Sequence, residues 1–240
     1  MSDRPVAMVT GASRGIGRAV AIALHHAGYA TVLLARDKKG LHQTALKCAE
    51  AGGPFPLIHS VDLQSIEEMR NCVNKVLSDT GQLDVLVNNA GNAIAKSVED
   101  TTISDWNAVM NLNARAPFFL TQAVLPLLRQ SPQAVIINIG SIVSIKGYEN
   151  QSVYTASKHA LAGWTKSLAR EAADDGIRVH LITPGGVATD LVRRMRPDIE
   201  TSDLIHCEDI AEAVLFLIRY KGNAVIDTLD IHRKGKPPFS

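Results

Sequence analysis

Short, nearly unbroken apolar runs alternate along this chain with stretches whose apolar residues recur every three or four positions. The runs Val6–Val9, Ala30–Ala35, Pro56–Asp62, Asp84–Asn88, Ala134–Ile139, Arg178–Ile182 and Ala224–Ile231 read as strands buried on both faces. Between them, helical spacing covers 15–27, 38–51, 65–80, 104–129, 153–173 and 208–220. In the first of these Ile16, Val20, Ala23, Leu24 and Ala27 share one face, and Gly28 stops the helix. Ser65 with Glu68 three residues later is a capping box. Residues 104–129 read as one long helix kinked at Pro117 and Pro126. Residues 190–206 are polar and contain proline, and read as irregular.

Strand–helix alternation of this kind predicts an α/β fold: a doubly wound parallel sheet of Rossmann type, about seven strands with helices on both faces. No repeat, linker or low-complexity tract divides the chain, so residues 1–240 are expected to form a single domain with a basic tail over 232–240. In such sheets ligands bind beyond the carboxyl ends of the strands, where the strand order reverses.

Composition narrows the function classes. The net charge is +1 and aromatic residues make up 5%, which offers neither a field nor a stacking surface for nucleic acid. No apolar run reaches the ~18 residues of a membrane span, and Met1 to Pro5 lead directly into the first strand. Cys48, Cys72 and Cys207 are odd in number and widely separated, without a CxxC, so neither a disulfide framework nor a zinc site is expected. The histidines lack HExxH spacing, and no metal is expected. A cytoplasmic, reducing compartment fits these features.

Two stretches carry candidate chemistry. Gly11, Gly15 and Gly17 lie between the first strand and the first helix. Glycines there let the backbone approach a diphosphate, and the helix start supplies N–H groups and the positive end of its dipole. The spacing is G-x3-G-x-G, not the G-x-G-x-x-G of the usual dinucleotide fingerprint, and a plain tight turn would look the same. Tyr154 and Lys158 stand four apart on a helix and project from one face. An ammonium brought close to a phenol favours the phenolate, so the tyrosine pKa is expected to fall toward neutrality, where it can exchange a proton with a substrate oxygen. An isolated YxxxK is more often a half-buried tyrosine beside a solvated lysine.

Taken together, Thr10-Gly-x-x-x-Gly-x-Gly17, Asn88-Asn89-Ala90-Gly91, Ser141, Tyr154-x-x-x-Lys158 and Pro184-Gly185 resemble the short-chain dehydrogenase/reductase family, in its order and spacing, from residue 6 to about 231. The nearest resemblance is to 3-oxoacyl-(acyl-carrier-protein) reductases. The resemblance implies a nicotinamide cofactor held by Gly11, Ser13, Arg14, Gly15, Ile16, Gly17, Arg36, Asp62, Asn89, Ala90, Gly91, Tyr154, Lys158, Pro184, Gly185, Val187 and Thr189. It implies a catalytic set of Asn113, Ser141, Tyr154 and Lys158. Tyr154 would be the acid/base and Ser141 would position the substrate oxygen. Lys158 would hold the nicotinamide ribose and lower the tyrosine pKa, and Asn113 would support a water relay. Asn111 rivals Asn113, and Asp62 reads equally as a loop cap. Ile182 and Val187 are expected to flank the nicotinamide ring.

Three departures stand out. The family's common glycine pair near the last strand is replaced by Asp227-Thr228-Leu229-Asp230-Ile231-His232-Arg233, His180 stands where asparagine is frequent, and Gly140 stands where serine is common.

At the end of the second strand an NAD enzyme of this fold places a carboxylate on the adenosine ribose. Here that position is Ala35, followed by Arg36, with Arg14 in the glycine turn. The expectation is NADPH/NADP+ rather than NADH, and Asp37 keeps the opposite reading open. The expected activity is carbonyl–alcohol interconversion on a small-molecule substrate, a 3-oxoacyl thioester or a free ketone, sugar or quinone. A catalytically silent NADP(H) sensor is the rival. Arg193, Arg194 and Arg196 could meet an acidic acyl carrier protein, against which Asp174 and Asp175 argue. Apolar residues on 104–129 and 153–173 point to a homodimer or homotetramer.

Overall fold

The computed structural model describes residues 4–50, 52–195, 200–220 and 222–236. The elements run β1 (Val6–Thr10), α1 (Gly15–His26), β2 (Ala30–Ala35), α2 (Lys38–Ala49), β3 (Leu57–Ser60), α3 (Ile66–Thr80), β4 (Val85–Asn88), α4 (Ile103–Met110), α5 (Ala116–Leu128), β5 (Val135–Ile139), α6 (Ser152–Glu171), β6 (Arg178–Pro184), α7 (Asp190–Met195), α8 (Cys207–Arg219) and β7 (Thr228–Ile231). The strands form one parallel sheet in the order β3-β2-β1-β4-β5-β6-β7. The order reverses between β1 and β4, which opens a crevice at their carboxyl ends.

Both faces of the sheet are dry. From β1, Ala7 and Val9 pack with α1, α2 and α8, while Val6 and Met8 pack with α3 and α5 on the other face. β5 divides in the same way, with Val135, Ile137 and Ile139 on the first face and Ile136 on the second. This two-sided burial is why the strands read as continuous apolar runs rather than alternating ones.

Several elements differ from the sequence expectation. The long helix over 104–129 is broken by a π-helical turn at Asn111–Arg115, so α4 and α5 are separate, with Pro117 in the first turn of α5 and Pro126 inside it. The extra residue per turn, not proline alone, makes the break. The 190–206 stretch contains α7 and a short 3₁₀ turn at Thr201–Asp203. β7 begins only at Thr228, where the register with β6 starts, and Asp227 contributes only its carbonyl, which accepts from the Leu181 N–H (2.9 Å). At α3, Ser65 accepts from the Glu68 N–H (3.3 Å), but the Glu68 carboxylate accepts from the Asp62 N–H instead of closing a capping box. No helix among the described residues is long and apolar enough to cross a membrane.

Candidate active site

β1 ends at Thr10, whose side chain ties the two halves of the sheet together. Its hydroxyl accepts from the backbone N–H of Asn89 (2.9 Å) and Ala90 (3.0 Å), just beyond β4. The Asn89 amide returns a hydrogen bond to the Thr10 carbonyl (2.9 Å). The glycine turn folds against this clamp. Gly11 and Gly15 have φ of +66° and +56°, the region that disfavours side chains. A Cβ on Gly11 would lie 2.9 Å from the Asn89 amide nitrogen, and one on Gly17 would drive into the Gly11 carbonyl. The turn is braced from behind: Thr44 on α2 donates to the Ala12 carbonyl (2.8 Å) and Arg18 donates to the carbonyl of Ser13. Arg14, at the N-cap of α1, makes no side-chain cap, which leaves the first-turn N–H groups of α1 for an anion. Ile16 follows in that first turn, half-buried against the core.

At the end of β2, Ala35 is buried and Arg36 is 67% exposed at the side chain, 3.9 Å from the Asp62 carboxylate. Asp37 caps α2, accepting from the Gly40 N–H (3.0 Å). That bond commits the carboxylate two residues after Ala35 to the helix. Asp62 accepts from the Gln64 N–H (3.0 Å) in a local turn, so the loop-cap reading describes one of its oxygens and the other faces Arg36.

The second cluster lies beyond β5. Ser141 is buried at the start of a 3₁₀ turn, Ile142–Ser144, with reciprocal capping between Ser141 and Ser144. Gly140 permits this, since a Cβ there would lie 2.9 Å from the Ser144 hydroxyl. Tyr154, in the first turn of α6, is half-buried, with the Ser141 side chain close enough to act on its phenol. Lys158, one turn later, is 4% exposed and donates to the Ile139 carbonyl (2.8 Å). Its nitrogen lies 6.0 Å from the centre of the Tyr154 ring.

The electrostatics differ from the expectation that Lys158 draws the tyrosine pKa toward neutrality. Burial pushes the Tyr154 phenol above its ordinary 10.0, and the neighbouring Ser141 side chain pulls the other way. Burial also holds the Lys158 ammonium down to about 8. In the protein alone, desolvation outweighs the attraction between the two groups.

Asn113 sits in the π turn and is buried, whereas its rival Asn111 is half-buried. Its amide donates to the Asn92 carbonyl (2.7 Å) and the Ser157 hydroxyl (3.0 Å), and its oxygen accepts from the Asn92 N–H (2.8 Å). One lone pair on that oxygen remains for a water. Ser157 passes the connection on to the Tyr154 carbonyl (2.7 Å). The segment Asn89–Asn92, the π turn and the Tyr154 helix thus form one hydrogen-bonded unit, with Gly91 lying against Asn113.

After β6, Pro184 and Gly185 lead to Val187 and Thr189. The Gly185 N–H donates to the Ile231 carbonyl (2.7 Å), and Thr189 lies where a Gly15 Cβ would meet its methyl at 3.2 Å. The Pro184–Thr189 segment therefore closes on the glycine turn from the far side. Val187 and Ile182 place their side chains in the core. Both are buried, Ile182 fully.

Sequence reasoning passed over four residues that hold this site, Asn92, Asn138, Ser144 and Ser157, and named Thr10 only as the start of the glycine motif. Asn88 donates to Asn138 (2.8 Å) and Thr121 (3.0 Å), and Asn138 donates to Thr165 (2.8 Å), which locks β4 and β5 to α5 and α6. An asparagine inside an otherwise apolar strand was the available signal. Among the described residues no group of three or more His, Cys, Asp and Glu is placed to hold a metal. Of the arginines offered for an acidic carrier protein, Arg193 and Arg194 lie exposed on α7, and Arg196 falls outside the described residues, as does the end of the basic tail from 237 on.

The comparisons with known proteins agree with this fold. The family described as short chain dehydrogenase matches residues 5–200. The 3-oxoacyl-(acyl-carrier-protein) reductase FabG of Escherichia coli (strain K12) is 34% identical over 220 residues, covering 88% of each chain. An acetoacetyl-CoA reductase of Shinella zoogloeoides is 38% identical over 222 residues, covering 88% of this chain and 90% of the relative. A metagenomic short-chain oxidoreductase solved in complex with NADP superposes with a TM-score of 0.84 at 31% identity, over 97% of this chain and 98% of that one.

Proposed function

The chain belongs to the short-chain dehydrogenase family, and from that membership we propose that it is an NADPH-dependent reductase interconverting a 3-oxoacyl thioester and its 3-hydroxy alcohol. The observation that carries the reading is the convergence of Ser141, Tyr154 and buried Lys158 at the carboxyl end of β5, coupled through Ser157 to Asn113. A silent nucleotide sensor has no use for that proton-handling set. The thioester class rests on the two relatives, whose names share a 3-oxoacyl thioester.

The donor set suits a dinucleotide. The uncapped first turn of α1 takes the diphosphate, with Gly11, Ser13, Arg14, Gly15, Ile16 and Gly17 around it. Asn89, Ala90 and Gly91 border the adenosine ribose, and Asp62 the adenine. Arg36, with Arg14, takes the 2′-phosphate by paired charge-assisted hydrogen bonds, and Ala35 leaves room for it. Lys158 holds the nicotinamide ribose, and Pro184, Gly185, Val187 and Thr189 line the nicotinamide end. When bound, the nicotinamide supplies the hydride that reaches the carbonyl carbon.

The substrate oxygen sits between the Ser141 hydroxyl and the Tyr154 phenol. Ser141 donates to it and fixes its position. Tyr154 gives it a proton as charge develops, and the nearby Lys158 ammonium favours the phenolate left behind. The free lone pair of Asn113 holds a water that returns a proton toward Lys158. Steady-state NADPH oxidation across 3-oxoacyl thioesters, diketones, quinones and sugars tests the reading. Turnover of acetoacetyl-CoA supports it, turnover of only another class replaces the substrate, and turnover of none favours the sensor. Exposed Arg193 and Arg194 offer a docking point for an acidic carrier protein, which carrier-linked substrate added to the same panel would register as a lower KM.

We also propose a homodimer through α5 and α6. Much of the apolar surplus on these helices is internal: Leu120, Val124, Leu161 and Leu168 are buried. What remains outward is Phe118, 44% exposed, edge-on to Phe119 (5.3 Å) and Trp164 (5.8 Å).

A further inference from the structure

The basic C-terminal residues and the missing glycine pair have no place in the chemistry above, yet they converge on the segment assigned to the nicotinamide end. β7 closes the sheet beside β6, with Thr183 in register with Asp230. The buried Thr183 hydroxyl donates to the Asp230 carboxylate, one residue before Pro184. The Ile231 carbonyl accepts from the Gly185 N–H (2.7 Å). Two residues on, the Arg233 guanidinium meets the Asp203 carboxylate at 2.7 Å, with the arginine side chain only 13% exposed. The Arg233 stem passes 3.7 Å from where a Gly186 Cβ would stand. The chain then turns, the Lys236 N–H bonding the Arg233 carbonyl (3.0 Å), so that Gly235 lies against the same Asp203 carboxylate.

Asp203 is adjacent to the strand-like bridge that fixes Pro184–Thr189 from its other side. Val187 pairs with Ile205, the Ile205 N–H donates to the Gly186 carbonyl (3.0 Å), and the Ala188 N–H donates to the Ile205 carbonyl (2.8 Å). The segment is thus held along one edge by residues 230–231 and along the other by 204–205. Arg233 joins those two edges.

Resting on the dinucleotide reading above, we infer that Arg233 is a positioning residue: through its ion pair with Asp203 it sets the Pro184–Thr189 segment against the nicotinamide end of the cofactor. The adenosine end, more than half the sheet away, does not depend on it. Losing the pair therefore weakens the whole dinucleotide without weakening an adenosine fragment. A general loss of stability would weaken both.

The test uses two probes on the full chain, NADPH and adenosine 2′,5′-bisphosphate, whose affinities are measured by titration calorimetry. The variants are Arg233→Met, which keeps the stem, Asp203→Asn, and the exchanged pair Arg233→Asp with Asp203→Arg. We expect Arg233→Met and Asp203→Asn each to weaken NADPH about three- to tenfold, the range for a partly buried charge-assisted pair. The bisphosphate should bind as it does to the unaltered protein, and the exchanged pair should recover at least half of the loss. NADPH binding equal to the unaltered protein, equal weakening of both probes, or no recovery in the exchanged pair would overturn the role of Arg233 while leaving the cofactor reading intact. An unaltered protein that binds neither probe would overturn both.

Discussion

Replacing Lys158 by Met should stabilise the fold while destroying activity. The lysine is buried, and its ammonium is held at about 8 against an ordinary 10.5. At about 1.4 kcal/mol per tenfold change in proton affinity, keeping the charge inside at pH 7 costs about 3 kcal/mol. Methionine has a similar stem and no charge, but it abandons the hydrogen bond to the Ile139 carbonyl, a loss of about 1 kcal/mol. The net expectation at pH 7 is a gain of about 2 kcal/mol. Its pH dependence follows from proton counts. Below about 8 both folded and unfolded lysine carry the proton and the penalty is complete. Between about 8 and 10.5 the unfolded chain holds more protons, so the parent protein gains stability as pH rises. The advantage of the variant should therefore shrink across that window and reverse above it. Urea titrations of both proteins at pH 7, 9 and near 10.5 measure the gap, and the difference cancels other groups that titrate there. Turnover should fall by at least about a hundredfold, since no cation remains to favour the Tyr154 phenolate. A variant less stable than the parent at pH 7, or a gap that does not change with pH, would refute the reasoning.

Tyr154→Phe keeps the ring and removes the proton donor, so kcat should drop by ~10²–10⁴ with NADPH affinity nearly unchanged, and retention of more than about a tenth of the rate would sink the assignment. Ala35→Asp combined with Arg36→Ala should reverse the preference between NADPH and NADH, since each change moves phosphate binding by on the order of 1–3 kcal/mol; a parent enzyme with higher kcat/KM on NADH would show that Arg36 has been misread. Light scattering at micromolar concentration should give at least a dimer mass, and Phe118→Asp should shift it toward monomer; a parent monomer removes the proposed α5–α6 interface.

The elements governed by local pattern were legible in the chain. β2 spans Ala30–Ala35 as its apolar run predicts, and Ser65 caps α3 as its position predicts. The glycine turn lies where its punctuation between strand and helix places it. The π turn was hidden because it is a change in hydrogen-bond spacing, for which Asn111–Arg115 carry no composition signal. α7 was hidden because six residues, of which only Leu191, Val192 and Met195 are apolar, are too few for a helical period to show. The Asn88–Asn138 pair joins residues 50 apart, and only strand register brings them opposite each other. The direction of the Tyr154 pKa change was misjudged for a related reason. Spacing reveals that two groups are neighbours, whereas desolvation depends on how deeply the rest of the fold buries them.

The Thr10–Asn89 clamp carries a consequence for how the chain must be made. β1 lies inside the sheet, yet one of its neighbours, β4, and the partner of its final threonine arrive 79 residues later. During synthesis, β1 and β2 can pair early while the other edge of β1, all of it apolar up to Thr10, waits for residues 85–90. Long-range parallel pairing of this kind is slow and leaves an open strand edge exposed to other chains in the interval. The crevice itself does not exist until that edge is closed, because half of it belongs to each side. A nascent chain stalled before residue 85 would therefore be both inactive and prone to aggregate, and regain of activity on refolding should track the closing of the β1–β4 seam rather than the appearance of helix.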